Sequence, residues 1–423
     1  MQTILHTTGD VVLRATPTDV ECMKGADLLL ADGIVQGIEE PGVLISEWDA
    51  TDASKNITLV NVHGRAVIPG LIDAHTHLVW DGDRSDEVAL RNAGMSYQDI
   101  ANHGGGIQRT VHATRSASEE RLAAIAMQRA SVAVRHGTTH IEAKSGYGLD
   151  TETELKLLRV GASIDGAGTL PSVQHTWLGA HAIPHGFTER DTIDMLLDEQ
   201  LPAVLAQGLA TATDVFCEPG WFGIEASEEL LRASKNEGLE IRMHVDEFQD
   251  GGGAELAASL GAVTADHALK SNDEGMNAMA EAGVNVGWLP GTPHMMGIDL
   301  RDPSEARGAW TIASDFNPNC PSLSLPFAAS LLVHKCGLGP GEALAAVTTS
   351  AAQTTTRSDG LRQGSIEVGA VADLNILRSG SWIGWCNSPG HSPFEATMVR
   401  GTMVHHENGL TPSSNVFPNI RGE

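Results

Sequence analysis

The chain opens in short alternating segments, such as Asp27-Leu28-Leu29-Leu30-Ala31 and Ile57-Thr58-Leu59-Val60, punctuated by Gly and Asp. That period and those breaks predict β-strands of a small sheet over 1–66. From Val67 the rhythm changes. Short apolar runs near 67–74, 138–143, 172–178, 213–217, 240–245, 262–266, 284–289 and 310–315 now alternate with segments of helical period. Helices are predicted near 151–164, 189–207, 225–237, 253–260, 272–282 and 340–354. Another follows Ser116-Ala117-Ser118-Glu119, a capping-box spelling, with Leu122, Ile125, Ala126, Ala130 and Ala133 on one face and Gly137 just past its end. Eight strand–helix repeats predict an α/β architecture, a (β/α)8 barrel over 67–359. From about Gly360 the pattern returns to strands, at 364–377 and 396–404. The two chain ends, 1–66 and 360–423, are therefore expected to build one small β-sandwich domain beside the barrel.

Composition changes this picture little. A length of 423 residues suits one large domain with a smaller one attached. Fifty-four acidic against twenty-seven basic residues give a formal charge of -27, which argues against a nucleic-acid or anionic-membrane partner. The acidic balance reads as a solvated surface suited to a salty environment. No apolar run approaches the roughly 18 residues of a membrane span, and the first residues lack a basic stretch followed by an apolar one. Five cysteines, Cys22, Cys217, Cys320, Cys336 and Cys386, are scattered and never form a C-x-x-C pair. They read as reduced thiols, so a cytoplasmic location is expected. A small-molecule substrate and a symmetric homodimer complete the expectation.

The chemistry begins at Val67–His77, which reads V-I-P-G-L-I-D-A-H-T-H. In an extended strand positions i and i+2 share a side, so His75 and His77 can hold one ion from one face. Two imidazoles are too few for a metal site, and further donors must come from elsewhere. In a barrel of this kind the chemistry sits at the C-terminal ends of the strands. Six candidate strands carry polar residues there: His75 and His77; Lys144-Ser-Gly-Tyr147; His181; His244 and Glu247; Asp266 and His267; and Asp315. A lone histidine at a strand end is more often a satisfied polar group than a ligand. Agreement among six ends points the other way.

His75, His77, His244 and Asp315 together offer three nitrogens and a carboxylate to one cation, with Asp315 also able to accept a proton from water. His267, on a neighbouring strand end, can assist. Glu247, three residues past His244, is placed to shuttle a proton to a substrate nitrogen. Arg84, nine residues past His75, offers the planar fork that grips a carboxylate. Gly104-Gly105-Gly106 lacks the Gly-Lys-Ser/Thr ending of a phosphate loop and reads as a loop allowing close backbone approach over the site mouth.

These motifs resemble the amidohydrolase superfamily of metal-dependent hydrolases and, more narrowly, the imidazolonepropionase family of histidine degradation. The resemblance spans nearly the whole chain. It rests on P-G-L-I-D-A-H-T-H (69–77), G-D-R (82–84), G-G-G-I (104–107), K-S-G-Y-G-L (144–149), L-G-A-H-A-I-P (178–184), H-V-D-E (244–247), A-D-H (265–267) and D-F-N-P (315–318). It implies hydrolysis of the cyclic amide of 4-imidazolone-5-propanoate to N-formimidoyl-L-glutamate with one divalent metal, zinc or iron. By position, His75, His77, His244 and Asp315 would bind the metal, and Arg84, Tyr147 and His181 the substrate. Glu247 would handle the ring-nitrogen proton, and His267 would sit beside the attacking water. Asn317, Asn319 and Cys320 would fall along the propionate and amide end. Many relatives read N-P-G and then Ser or Thr where this chain has Asn317-Pro318-Asn319-Cys320, and a thiol is a weaker hydrogen-bond donor than a hydroxyl. The alternatives are a deaminase or another cyclic amidase on the same barrel and a non-catalytic scaffold; a nucleobase site has little use for a carboxylate clamp such as Arg84.

Overall fold

A computed structural model of the chain describes residues 2–50, 57–95, 99–100, 103–165, 168–406 and 413–414. Eight parallel strands, numbered here in chain order, follow one another round a barrel: β1 (Leu71–Thr76), β2 (Thr138–Lys144), β3 (Ser172–Ala180), β4 (Ala212–Cys217), β5 (Glu240–Val245), β6 (Thr264–His267), β7 (Asn285–Trp288) and β8 (Trp310–Ile312). The ring closes just past β8, where Asp315 N–H donates to His75 O at 3.1 Å and His77 N–H to Phe316 O at 2.8 Å. Nearly every strand residue is buried, because helices cover the outside and side chains fill the inside. That two-sided burial is why the strands read as apolar runs rather than as alternating ones.

Three details depart from the sequence pattern. The first apolar run is two strands. Val67–Pro69 pairs with Leu374–Leu377 in a sheet outside the barrel, and the chain crosses into β1 at Gly70, where a Cβ would overlap the Thr139 side chain. The helix cap expected at Ser116 lies two residues on. Ser118 accepts the Arg121 N–H at 3.2 Å and opens the helix Glu119–Arg135, whereas Ser116 ends the preceding helix Gly106–Ser116 with its hydroxyl donating to His112 O. The segment 340–354 breaks into Pro340–Ala346 and Thr349–Thr354, and the carbonyl of Val347 in the gap accepts the Ile72 N–H of β1. A further helix, Leu325–Cys336, is so widely buried that it has no amphipathic stripe to betray it.

The chain ends form two facing sheets. One orders 413–414, 57–61, 2–6, 27–31 and 34–39; the other orders 402–406, 394–399, 374–377, 67–69, 10–16 and 19–24. Leu5, Val11, Leu28, Val35, Val67, Leu374 and Ala396 pack between them. The expected strands over 396–404 and near the chain start are present; residues 51–56, 407–412 and 415–423 lie outside the described residues. Phe394 and Asn375 seat this sandwich against Gly137 at the start of β2, at the barrel end remote from His75. Among the described residues no helix is long and apolar enough to cross a membrane.

Candidate metal and substrate site

Four donors meet at the C-terminal mouth of the barrel. His77 Nε2 and His244 Nε2 face each other at 3.4 Å, and Asp315 Oδ1 lies 3.5 Å from His75 Nε2 and 3.6 Å from His77 Nε2. In a tetrahedral site with metal–nitrogen bonds of about 2.1 Å, neighbouring donors stand about 3.4 Å apart. The spacing therefore fits one divalent cation. His75 Nε2 and Asp315 Oδ1 are buried with no hydrogen-bond partner among the described residues, the condition of atoms kept for a ligand. His267 belongs to an overlapping cluster with His75 and Asp315. Its Nε2 lies 4.0 Å from Asp315 Oδ2 and 3.9 Å from Glu247 Oε2, beside the four donors. Asp315 and His267 both sit at positive φ, +49° and +70°, a costly conformation that turns their side chains at the strand ends toward one point.

Carboxylates behind the donors fix which ring nitrogen faces inward. His75 Nδ1 meets Asp266 Oδ2 at 2.7 Å, and His244 Nδ1 meets Asp214 Oδ1 at 3.0 Å, leaving both Nε2 atoms toward the centre. His77 is held by its face instead, stacked on His181 at 4.9 Å between ring centroids with 13° between planes. Thr292 donates to Asp315 Oδ2, and Asn317 Nδ2 to Asp315 O at 2.7 Å. Asp214, Thr292 and Glu218 were not singled out from the sequence. For Asp214 there was a signal, a charged residue in the middle of an otherwise apolar strand.

A small pocket opens over the donors, with Arg84, Tyr147, His181, Glu247, Asn317 and Asn319 in its wall. Arg84 is gripped from behind by Glu87, whose carboxylate takes Nε at 3.0 Å and Nη2 at 2.8 Å. Glu87 also accepts the Gly106 N–H at 2.8 Å, so the glycine run starts a helix whose Ile107 reaches the cavity. A Cβ at Gly105 would come within 2.9 Å of Glu87 Oε1, which is the close approach those glycines permit. His181 Nδ1 contacts Gly146 O at 2.8 Å, and its ring lies 5.0 Å from that of Tyr147. Asn319 keeps its N–H on Asn317 Oδ1 and accepts from Arg91 at 2.6 Å. Cys320 is not in the wall. Its thiol is fully buried and points toward Ser314 O at 3.7 Å.

Burial sets the electrostatics. It pushes His75, His77 and His267 well below the ordinary imidazole range, and His181 to about 3, so these rings are neutral at pH 7 and can offer lone pairs. Burial, reinforced by Asp315 and Glu218, pushes Glu247 well above the ordinary carboxylate range. Asp266 rises to about 6 for the same first reason. Asp214 runs the other way: burial would raise it, but His244 and Lys144 together leave it lowered.

Comparison with known proteins fits this picture. No family model matches the chain. A curated relative from Haloarcula marismortui, named imidazolonepropionase, is 41% identical over 388 residues, covering 91% of each chain. One of the same name from Brevibacillus brevis is 38% identical over 405 residues, covering 94% of each. Among solved structures, a 5-methylcytosine deaminase from Klebsiella pneumoniae with 5-fluorocytosine matches with a TM-score of 0.72 at 16% identity, over 97% of this chain and 98% of that one. An adenosine deaminase from Xanthomonas campestris with bound zinc matches at 0.69 and 16%, over 97% and 94%. At such identity the solved structures establish the fold alone.

Proposed function

Because the chain belongs to the imidazolonepropionase family, we infer that its barrel mouth hydrolyses the cyclic amide of 4-imidazolone-5-propanoate to N-formimidoyl-L-glutamate. The enzyme is a hydrolase of a C–N bond, and each group needed for ring opening has a candidate at the cavity. His75, His77, His244 and Asp315 would hold one divalent cation, zinc or iron. When bound, such a cation polarises a carbonyl and brings the pKa of water from 15.7 to roughly 7.

The chain's own groups do the rest. Asp315, whose Oδ2 lies 4.0 Å from His267 Nε2, is the acceptor for the proton that water gives up, with His267 as its neighbour in that transfer. Breaking the amide bond leaves a ring nitrogen that needs a proton. Glu247, whose carboxyl burial pushes well above the ordinary carboxylate range, supplies it. Arg84 receives the substrate's carboxylate as a charge-assisted pair, with Glu87 holding the fork in position. Tyr147 and His181 bound the ring, and Asn317 and Asn319 the propionate end. Cys320 supports that loop from within rather than touching substrate.

The division of labour we propose gives 67–359 the chemistry and 1–66 with 360–423 the supporting sandwich, with Val67–Pro69 stitched into the sandwich sheet as the passage between them. A cytoplasmic homodimer acting on a free metabolite is the proposed setting, in keeping with five unpaired cysteines. The observation that carries the reading is that His77 lies 3.4 Å from His244 and 3.6 Å from Asp315, in a chain 41% identical to a curated imidazolonepropionase. The test is an absorbance assay following loss of imidazolone. Turnover that chelator abolishes and added metal restores is expected; a metal-loaded protein without turnover ends the assignment.

A further inference from the structure

Lys144, the last residue of β2, is 1% exposed and lies outside the cavity wall, so it touches no substrate. Its ammonium Nζ lies 2.7 Å from Asp214 Oδ2, 3.1 Å from Glu142 Oε1 and 3.9 Å from Asp266 Oδ2. Two of these carboxylates have a second duty. Asp214 Oδ1 meets His244 Nδ1 at 3.0 Å, and Asp266 Oδ2 meets His75 Nδ1 at 2.7 Å. One cation thus stands behind two of the candidate metal ligands, which come from β5 and β1.

Resting on the metal-site reading above, we propose that Lys144 is a positioning residue that fixes the His75 and His244 imidazoles together, through Asp266 and Asp214. An imidazole binds a metal only with the right nitrogen and the right ring angle, and both are set by the partner of its other nitrogen. Those partners are aspartates on separate strands, β4 and β6, with Lys144 the cation between them. The ammonium gives the two a common anchor, so the orientation of one ligand is tied to that of the other. A purely structural role explains the burial less well. An ion pair kept only for folding is often replaceable by apolar side chains at no loss, whereas this one is spread across both imidazole–carboxylate pairs. Glu142, the third neighbour, keeps the ammonium in register: its side chain also accepts the Thr176 hydroxyl, and its backbone carbonyl that of Thr76 at 2.8 Å.

The test is metal binding, read apart from activity. Lys144→Met keeps the side-chain length and removes the charge. Competition between the full-length protein and a chelator for Zn²⁺ alone is expected to show Kd raised about 10- to 100-fold, the usual cost of losing a group behind a metal ligand. The rise in unfolding temperature on adding Zn²⁺ is expected to shrink with it. An unchanged Kd with an unchanged Zn²⁺-induced rise, whatever happens to the metal-free protein, overturns the proposal. Asp214→Asn guards against a variant that does not fold: it keeps the shape and cuts the arm to His244, and must lose Zn²⁺ affinity likewise. Undiminished affinity there also overturns the proposal. Tight Zn²⁺ binding by the unaltered protein without imidazolone hydrolysis would refute the assigned activity and leave the role of Lys144 to stand on its own data.

Discussion

Glu218 holds Glu247 by the backbone: its Oε2 accepts the Glu247 N–H at 2.8 Å, and its Oε1 accepts those of Phe248 and Gln249 at 3.2 and 3.0 Å. The loop that carries the proposed proton donor is therefore clipped to the end of β4. Glu218→Ala removes three acceptors of backbone N–H groups, so Glu247 loses its aim, while the candidate donors His75, His77 and Asp315 lie on other strands and His244, within β5, stays held by Asp214. We expect kcat to fall about tenfold or more, since proton transfer by a positioned group is worth about 10²–10⁴-fold and most of it depends on aim. Metal content should not change. Full activity in this variant would show that the Glu247 loop needs no clip.

Glu247→Gln tests the donor itself. The amide matches the carboxyl in shape but has no proton to give the departing nitrogen. Turnover should drop by about 10²–10⁴-fold with metal content retained, because Glu247 lies 3.9 Å from His267 and belongs to neither candidate metal-ligand group. Normal kcat removes Glu247 from the mechanism.

Arg84→Ala is expected to raise KM by roughly 10- to 100-fold, the worth of one charge-assisted hydrogen bond to a carboxylate. The deletion has a second effect, because Glu87 would be left as a buried carboxylate without its partner. The change is therefore best made together with Glu87→Gln, so that a folding loss does not imitate a binding loss. A KM that stays put in the folded double variant refutes the carboxylate clamp.

The barrel and its candidate donors were legible in the sequence for one physical reason. Strands buried on both faces are mostly apolar, so the polar residues gathered near their ends stand out along the chain, and His75, His77, His244 and Asp315 are among them. What lay hidden depends on lateral register. Asp266 sits opposite His244, and Asp214 opposite Arg242, only once β4, β5 and β6 are paired; nothing along the chain says that Lys144 reaches between them. The helix start was misjudged by two residues because Ser116 and Ser118 both spell a cap, and only the path of the preceding helix chooses. Cys320 follows the candidate ligand Asp315 by five residues, yet the turn made by Asn317 directs its thiol toward Ser314.

The buried Glu218 carboxyl also makes stability depend on pH. Burial pushes it up to about 7 from an ordinary value of 4.5. Between those values the folded protein keeps a proton that the unfolded chain has released, so stability falls as pH rises through the window, and above it the loss is complete. Glu218→Gln has no proton to keep. The stability of the variant relative to the parent should therefore increase from pH 4.5 to 7 and then level off, as read from urea midpoints in the presence of chelator. A constant difference across that range would mean that burial does not oppose ionisation at this site.

Gly137 tests how the sandwich is seated on the barrel. It follows the helix Glu119–Arg135 at φ +87°, and its carbonyl accepts from Leu71 N–H at 2.9 Å and from Asn375 Nδ2 at 2.8 Å, so its backbone is pinned from both domains. A Cβ there would overlap the Phe394 ring and lie 2.9 Å from Asn375 Nδ2. Gly137→Ala should cost roughly 1–2 kcal/mol for the left-handed backbone and about 1–3 kcal/mol more for overpacking. Gly186 separates the two contributions, for it has φ +88° with nothing within 4 Å of its would-be Cβ. Gly186→Ala should lose only the first contribution. Activity per folded molecule should survive in both, since Gly137 lies at the barrel end opposite the donors. If the two variants lose equal stability in denaturant melts, Phe394 does not press on Gly137, and the sandwich is docked by other contacts.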